Sequence, residues 1–362
     1  MLYHLFYRLH EVFSGLNIFR YITFRAALAT LTAFFISLIF GPLIIKKLKG
    51  LNIGEKINKA DSRQLDELHR AKHGTPTMGG LLILLAIVSS TLLWADILNR
   101  YVLIVLAATI WLGLTGFCDD YLKQARARSK GLPAAAKITS QAALGLCLGL
   151  FLLWDSPNNI MLDVPFLKDT VLNLDGLYVL FVILVIVGSS NAVNLTDGLD
   201  GLAVGIVVMV ALAFSVLSYV SGNAKISAYL LIPYVKGAGE LTVFCAGVIG
   251  AGLGFLWFNC HPAAIFMGDV GSLALGGALG AVALIIKKEL LLALVGGIFV
   301  VEALSVILQV ASFRLTGKRV FKCSPLHHHF QFQGWPENKI IVRFWIIAAL
   351  LALATIVTVK VR

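Results

Sequence analysis

The amino-acid sequence predicts an all-α polytopic membrane protein, one integral domain over residues 1–362, with about ten transmembrane helices and both termini on the outer side. Three observations predict it. Of 362 residues, 59% are hydrophobic and 14% charged, against roughly 25% charged in ordinary soluble chains. Apolar runs near the roughly 20 residues needed to cross a bilayer recur along the whole chain, with no long polar stretch between them. The basic residues gather in alternate links between those runs.

The elements follow in order. Residues 1–21 mix aromatics with charges and lack a small-residue cleavage site, which reads as an interfacial amphipathic segment. Apolar runs then cover 22–45, 78–98, 101–118, 134–154, 175–193, 200–221, 240–258, 264–286, 290–312 and 339–359. Backbone amides in lipid must be satisfied within their own segment, so each run is expected to be a helix. Glycine stretches such as LGGALGA and VGGIF suit close helix packing. An even number of runs returns both termini to one side. Nineteen of the 30 lysines and arginines fall on the other side. They are Lys46, Lys47, Lys49, Lys56, Lys59, Arg63, Arg70 and Lys72; then Lys123, Arg126, Arg128, Lys130 and Lys137; then Arg314, Lys318, Arg319, Lys322, Lys339 and Arg343. The positive-inside rule makes that side cytoplasmic. The five cysteines form no CxxC pair and no disulfide framework, and no role falls to them.

The remaining polar motifs collect on the same face. LTGFCDDYLK ends the third run with Asp119 and Asp120. GSSNAVNLTDGLDGLA brings Asn194, Asp197 and Asp200. WFNCHPAAIFMGDVGS brings Asn259, His261 and Asp269, and KCSPLHHHFQFQGW brings His327, His328 and His329. A single DD pair or DG turn is weak evidence, and NLDGLY at 173–178 carries DG on the outer side as ordinary turn chemistry. Four clusters from four separate links on one face are a stronger signal. Consecutive histidines on a helix point about 100° apart, so the three cannot share one metal without unwinding, and phosphate or carboxylate binding suits them better. MGDVGS reads as a loop-to-helix junction in which Asp269 and Ser272 can cap. Carboxylates facing a phosphate repel it unless a cation lies between. The acids therefore imply Mg²⁺, a hard ion that takes oxygen ligands, and the basic links attract a polyanion. The chemistry these residues suggest is phosphoryl transfer at a cytosolic-face site, with a lipid as one reactant.

These stretches, with AKHGTPTMGGL at 71–81 and PLHHHFQFQGWPENKIIVRFW at 325–345, resemble the phospho-N-acetylmuramoyl-pentapeptide transferase family. That family belongs to the polyprenyl-phosphate N-acetylhexosamine-1-phosphate transferase superfamily, and the resemblance covers nearly the whole chain. It implies transfer from UDP-N-acetylmuramoyl-pentapeptide to undecaprenyl phosphate, giving lipid I and UMP in peptidoglycan synthesis, with Mg²⁺ as cofactor. It implies the bacterial cytoplasmic (inner) membrane, an active site at its cytosolic face, membrane lipid around the chain and a homodimer; no nucleic-acid partner is expected. By the same resemblance Asp119, Asp120, Asp269, His327, His328 and His329 are catalytic, and Asp269 holds the metal. Lys72, Thr77, Lys137, Asn194, Asp197, Gly198, Asp200, Asn259 and Phe266 bind substrate, and Phe266 could stack on uracil. The chain departs from the family's usual pattern at Val270, where threonine is common, and at Cys118.

Two rivals stand beside this reading: a sister transferase using UDP-N-acetylglucosamine, and a secondary transporter, whose coupling acids would sit nearer the midplane in broken helices. Direct attack by the lipid phosphate and a covalent aspartyl-phosphate both remain open. Glu302, Ser305 and Gln309 share one helical face inside an apolar run. Such a glutamate is either functional or a packing group.

Overall fold

Helix follows helix because the apolar runs leave the backbone no other way to satisfy its amides in lipid. The computed structural model describes residues 1–11, 13–51, 72, 74–125, 131–155, 161–164 and 171–360. The basic residues Lys56, Lys59, Arg63, Arg70, Arg126, Arg128 and Lys130 lie outside the described residues. In chain order the helices are α1 (Leu2–Arg8), α2 (Ile22–Gly50), α3 (Gly80–Trp94), α4 (Arg100–Ala125) and α5 (Ala134–Asp155). Strands β1 (Met161–Asp163) and β2 (Val171–Asn173) follow, then α6 (Leu177–Thr196), α7 (Leu202–Ser221), α8 (Ala224–Leu230) and α9 (Leu241–Asn259). The chain ends with α10 (Gly268–Ile285), α11 (Glu289–Val295), α12 (Gly297–Thr316), α13 (Leu326–Phe332) and α14 (Glu337–Thr358).

Among the described residues, nine helices are long and apolar enough to cross a membrane. The expected second span is instead a 15-residue apolar helix, α3. At 1.5 Å per residue it is about 22 Å long, short of the roughly 30 Å hydrocarbon core. It starts at Gly80, where the backbone pairs with another segment, described below, and stops at Trp94, before the extended backbone of Ala95. The expected run 290–312 is broken at the Gly296–Gly297 pair into α11 and α12, glycine being a weak helix former. Between α5 and α6, β1 and β2 pair antiparallel, Met161 opposite Asn173, which the sequence reading did not anticipate. Three-residue strands carry too few residues for alternation to show.

Burial ranks the helices. Every residue from Val270 to Ile285 of α10 is buried, and α7 and α9 are mostly buried. The remaining long helices surround them and turn Leu, Ile, Phe and Trp outward, as a lipid-facing surface requires. Small residues set how closely the inner helices approach. A Cβ on Gly116 of α4 would lie 2.2 Å from the Asp269 carbonyl oxygen, and one on Gly80 of α3 would lie 2.1 Å from Gly271 N. Both helices therefore touch α10 backbone to backbone at its first turn, and this brings three polar motifs to one level.

Both termini sit at the opposite end of the bundle. The N-terminal amine donates to Leu92 O at 2.5 Å, and Lys360 donates to Tyr229 Oη at 2.5 Å. Arg25, 1% exposed, forms a two-pronged pair with Glu240 at 2.7 and 2.6 Å and lies 4.1 Å from the Tyr3 ring centroid. Nearby, Lys287 Nζ donates to Tyr178 Oη at 3.0 Å, Tyr178 Oη donates to Glu289 at 2.7 Å, and Lys288 pairs with Asp163 at 2.7 Å. Burial pushes the Lys287 ammonium down to about 8 and raises the Glu289 carboxyl.

Candidate active site

Helix α4 outlasts its apolar stretch by two turns, and those turns carry Asp119, Asp120 and Lys123. Asp119 is fully buried. It accepts from Leu132 N at 2.7 Å and Lys137 Nζ at 2.8 Å, and pairs with Lys123 one turn on. Asp120 points the other way, accepts from Val270 N at 3.2 Å and faces a cavity of about 360 Å³. Gly268, at φ +73, turns the chain into α10; a Cβ there would sit 2.5 Å from Asp120 Oδ2. Asp269 follows in the first turn and accepts from Lys137 at 2.6 Å and Lys123 at 3.3 Å. One carboxylate oxygen from each of Asp119, Asp120 and Asp269 lies within 4.8 Å of the others. Contrary to the capping expectation, neither Asp269 nor Ser272 caps α10: Ser272 Oγ lies 2.8 Å from Asn194 Oδ1 and 3.0 Å from Gly268 O.

The TPTMGG stretch is laid against this junction by backbone bonds. Phe266 N donates to Pro76 O, Gly79 N to Phe266 O and Gly80 N to Met267 O, each at 2.8 Å. Thr77 and Phe266 thereby line the same cavity. The NLTDGLDG loop closes another wall with Asn194, Asp197, Gly198 and Asp200. Its position is fixed from behind. Gly201 N donates to Asn259 Oδ1 at 3.0 Å, and Asn259 Nδ2 donates to Ile265 O at 2.8 Å. Asp200 accepts from Lys72 at 2.7 Å and from Ala263 N at 3.1 Å, with His261 Nδ1 3.1 Å away. Glu337, first residue of α14, accepts from Lys72 at 2.7 Å and from Asp200 N at 2.9 Å.

Of the expected residues, Lys72, Thr77, Asp120, Asn194, Asp197, Gly198, Asp200, Asn259, Phe266, Asp269 and His328 line the cavity. Asp119 and Lys137 stand behind it as partners of the cavity residues. The three histidines diverge, as helical geometry requires. His327 is fully buried against Glu302, His328 bonds Gln331 and reaches the cavity, and His329 turns out toward Lys322 N and Gln333. The sequence reading missed Lys123, Gln124, Leu199 and Gly268 in the lining and Glu337 behind it. Lys123 was findable, because a lysine three and four residues after two acids shares their helical face. Glu337 had no such signal; its role depends on where α14 docks.

Among the described residues, two groups could hold a metal: Asp119–Asp120–Asp269 and Asp200–His261–Glu337. The second is already knit together by Lys72, Ala263 N and the Asp200 amide, so it reads as an ion-pair network. The first offers only oxygen donors beside the cavity, the set a hard divalent ion prefers.

Comparison with known proteins bears on the identity. The glycosyl transferase family 4 description matches residues 102–287, and phospho-N-acetylmuramoyl-pentapeptide-transferase signature 1 matches residues 72–84. Phospho-N-acetylmuramoyl-pentapeptide-transferases of Endomicrobium trichonymphae, Desulfosudis oleivorans and Desulfotalea psychrophila are 52%, 53% and 50% identical, matched over the whole of both chains. The chain belongs to the phospho-N-acetylmuramoyl-pentapeptide-transferase family. The signature of that family spans Lys72 and Thr77, which line the cavity, and Pro76, Gly79 and Gly80, whose backbone pairs with Phe266 and Met267 just before α10.

Proposed function

We infer that this protein transfers phospho-N-acetylmuramoyl-pentapeptide from its UDP carrier to undecaprenyl phosphate, releasing UMP and forming lipid I in peptidoglycan synthesis. The observation that carries the reading is the convergence of Asp120, Asp269, Asp197, Lys72 and His328 on one cavity in a chain about half identical, end to end, to transferases of that name. An oxygen of the lipid phosphate attacks the β-phosphorus of the UDP-sugar. The bond from that phosphorus to the oxygen bridging the two nucleotide phosphates breaks, and UMP leaves with that oxygen.

Asp120, Asp269 and Asp119 would hold Mg²⁺, which when bound supplies charge neutralisation to the pyrophosphate. With all groups ionised, three carboxylates against Lys123 and Lys137 leave one net negative charge. That is too little to hold a pyrophosphate off once a divalent ion is added. Asp120 and Asp269 reach the cavity, so they are better placed than Asp119 for contact with the reacting phosphates. Asp119 instead orients both lysines. The Lys72–Asp200–Glu337 network and Phe266 form the nucleoside end. The site faces the cytosol and the chain crosses the bacterial inner membrane as a homodimer; the distribution of basic residues in the sequence supports the orientation, and the family membership the membrane and the dimer.

The acids gather at one end of the bundle, whereas a transporter would carry them near its middle. The signature at 72–84 favours the muramoyl-pentapeptide substrate over UDP-N-acetylglucosamine. Purified protein given each UDP-sugar with undecaprenyl phosphate and Mg²⁺ tests both points. UMP and a lipid-linked sugar are expected from the muramoyl substrate alone. Equal UMP from UDP-N-acetylglucosamine, or none from either, overturns the assignment.

A further inference from the structure

Glu302 and His327 form a buried pair that the reaction just described does not use. Glu302 is the sixth residue of α12, an apolar helix, and both residues are fully buried. Glu302 Oε1 accepts from the His327 backbone N–H at 3.1 Å, and Oε2 lies 3.2 Å from His327 Nδ1. A carboxylate has only acceptors to offer, so the proton between them belongs to His327 Nδ1. The other ring nitrogen, Nε2, is buried and has no hydrogen-bond partner among the described residues. It points at Gly198, where a Cβ would lie only 2.3 Å from it. Gly198 belongs to the loop whose neighbours Asp197, Leu199 and Asp200 line the cavity.

We propose that Glu302 is a positioning residue: through His327 it fixes one ring tautomer and presents the bare Nε2 to the Asp197–Asp200 loop, holding that loop where its carboxylates serve transfer. This deepens the transferase reading and rests on it. The arrangement explains three features together. The intramembrane acid is matched to a donor that needs it. Residue 198 has no side chain because the imidazole edge occupies that space. The first histidine of the triplet is sealed away from the cavity although His328 beside it is open to it. A carboxylate that merely packed would need no such aim at a catalytic loop. A buried acceptor left empty costs free energy unless a donor reaches it in some state of the cycle, and Gly198 of the loop is what it faces.

Glu302→Gln tests this with little change of volume. If the amide oxygen keeps the bond from the His327 backbone, its NH₂ faces Nδ1 and forces the ring proton onto Nε2. In ¹⁵N-histidine NMR of the full chain, with His327→Asn identifying the signal, the wild type is expected to show a protonated Nδ1 and a bare Nε2. Glu302→Gln is expected to reverse them. Its kcat for UMP release should fall roughly 10–100-fold, the scale on which losing an outer-shell partner of a functional histidine acts, while KM for the UDP-sugar stays within about twofold and the thermal midpoint is kept. A reversed tautomer with unchanged kcat overturns the proposal. So does lost kcat with Nδ1 still protonated. Should Glu302→Gln fail to fold, His327→Asn serves, since its amide can donate at the Nδ1 position but has no Nε2. A similar fall in kcat is expected of it, and wild-type kcat contradicts the proposal. Absence of UMP from the wild type would instead undo the transferase reading, and the NMR signal, which needs no substrate, tells the two failures apart.

Discussion

The two ends of the bundle bury charge in different ways. At the end that holds the termini, Arg25 is matched to Glu240 and Lys288 to Asp163, and Lys287, Tyr178 and Glu289 close on one another. At the other end, Asp119, Asp120 and Asp269 outnumber the two lysines between them, and Asp120 and Asp269 border an open cavity of about 360 Å³. Charges matched one to one and sealed from solvent act as fasteners. Charges left in surplus beside a cavity await a ligand. Burial alone does not separate the cases, since Asp119 is as buried as Arg25; the difference lies in stoichiometry and access.

Four substitutions press on that contrast, beginning with the largest effect. Asp120→Asn removes a cavity-facing charge and should lower kcat about a thousandfold, roughly 4 kcal/mol of transition-state stabilisation. The thermal midpoint should barely move; a variant that keeps a tenth of wild-type kcat would show that Asp120 is not in the machinery. Arg25→Met leaves the partly buried Glu240 without its partner and should cost about 3 kcal/mol of stability, the low end for a buried pair. The UMP rate per folded molecule should be unchanged, and a lost rate without lost stability would blur the distinction between the two ends. Glu337→Gln keeps an acceptor for the Asp200 amide but gives up the charge on Lys72. We expect KM for the UDP-sugar to rise about tenfold, a little under the usual worth of a bond to a charged group, with kcat nearly intact. A fall in kcat at constant KM would move Glu337 to the reacting phosphates.

The smallest effect concerns pH. Burial holds Lys287 at about 8 in the fold against 10.5 for the free side chain. Between those values the unfolded chain binds the extra proton, so stability should rise as pH climbs from 8 to 10.5. Glu289 is shifted upward, so above 4.5 the fold binds the extra proton and stability falls with pH until the raised value is passed. Lys287→Met should abolish the alkaline rise in a thermal-shift series; an unchanged slope would show that Lys287 is not its source.

Much of this was legible in the sequence. Long apolar runs announce helices, and the motifs Asp119–Asp120, Asn194–Asp200, Asp269 and His327–His329 carry their chemistry in local order, so their meeting at one end follows from counting spans. What was not legible depends on docking. The start of α3 is set by the pairing of Gly79 and Gly80 with Phe266 and Met267, residues far away in sequence. The roles of Glu302 and Glu337 come from which helix lies beside which. The DD pair looks symmetric as a dipeptide, yet a 100° turn sends Asp119 to the lysines and Asp120 to the cavity. Three adjacent histidines likewise have three surroundings.

The central claim is that the surplus carboxylates by the cavity, and not the matched ones, take a divalent ion. Mn²⁺ binding followed by electron paramagnetic resonance on the purified full chain addresses this without turnover. The account predicts one tight Mn²⁺ in the wild type, the same in Glu337→Gln, and its loss in Asp269→Asn. Undiminished Mn²⁺ in Asp269→Asn, with loss in Glu337→Gln instead, would contradict it and move the metal to the network around Lys72.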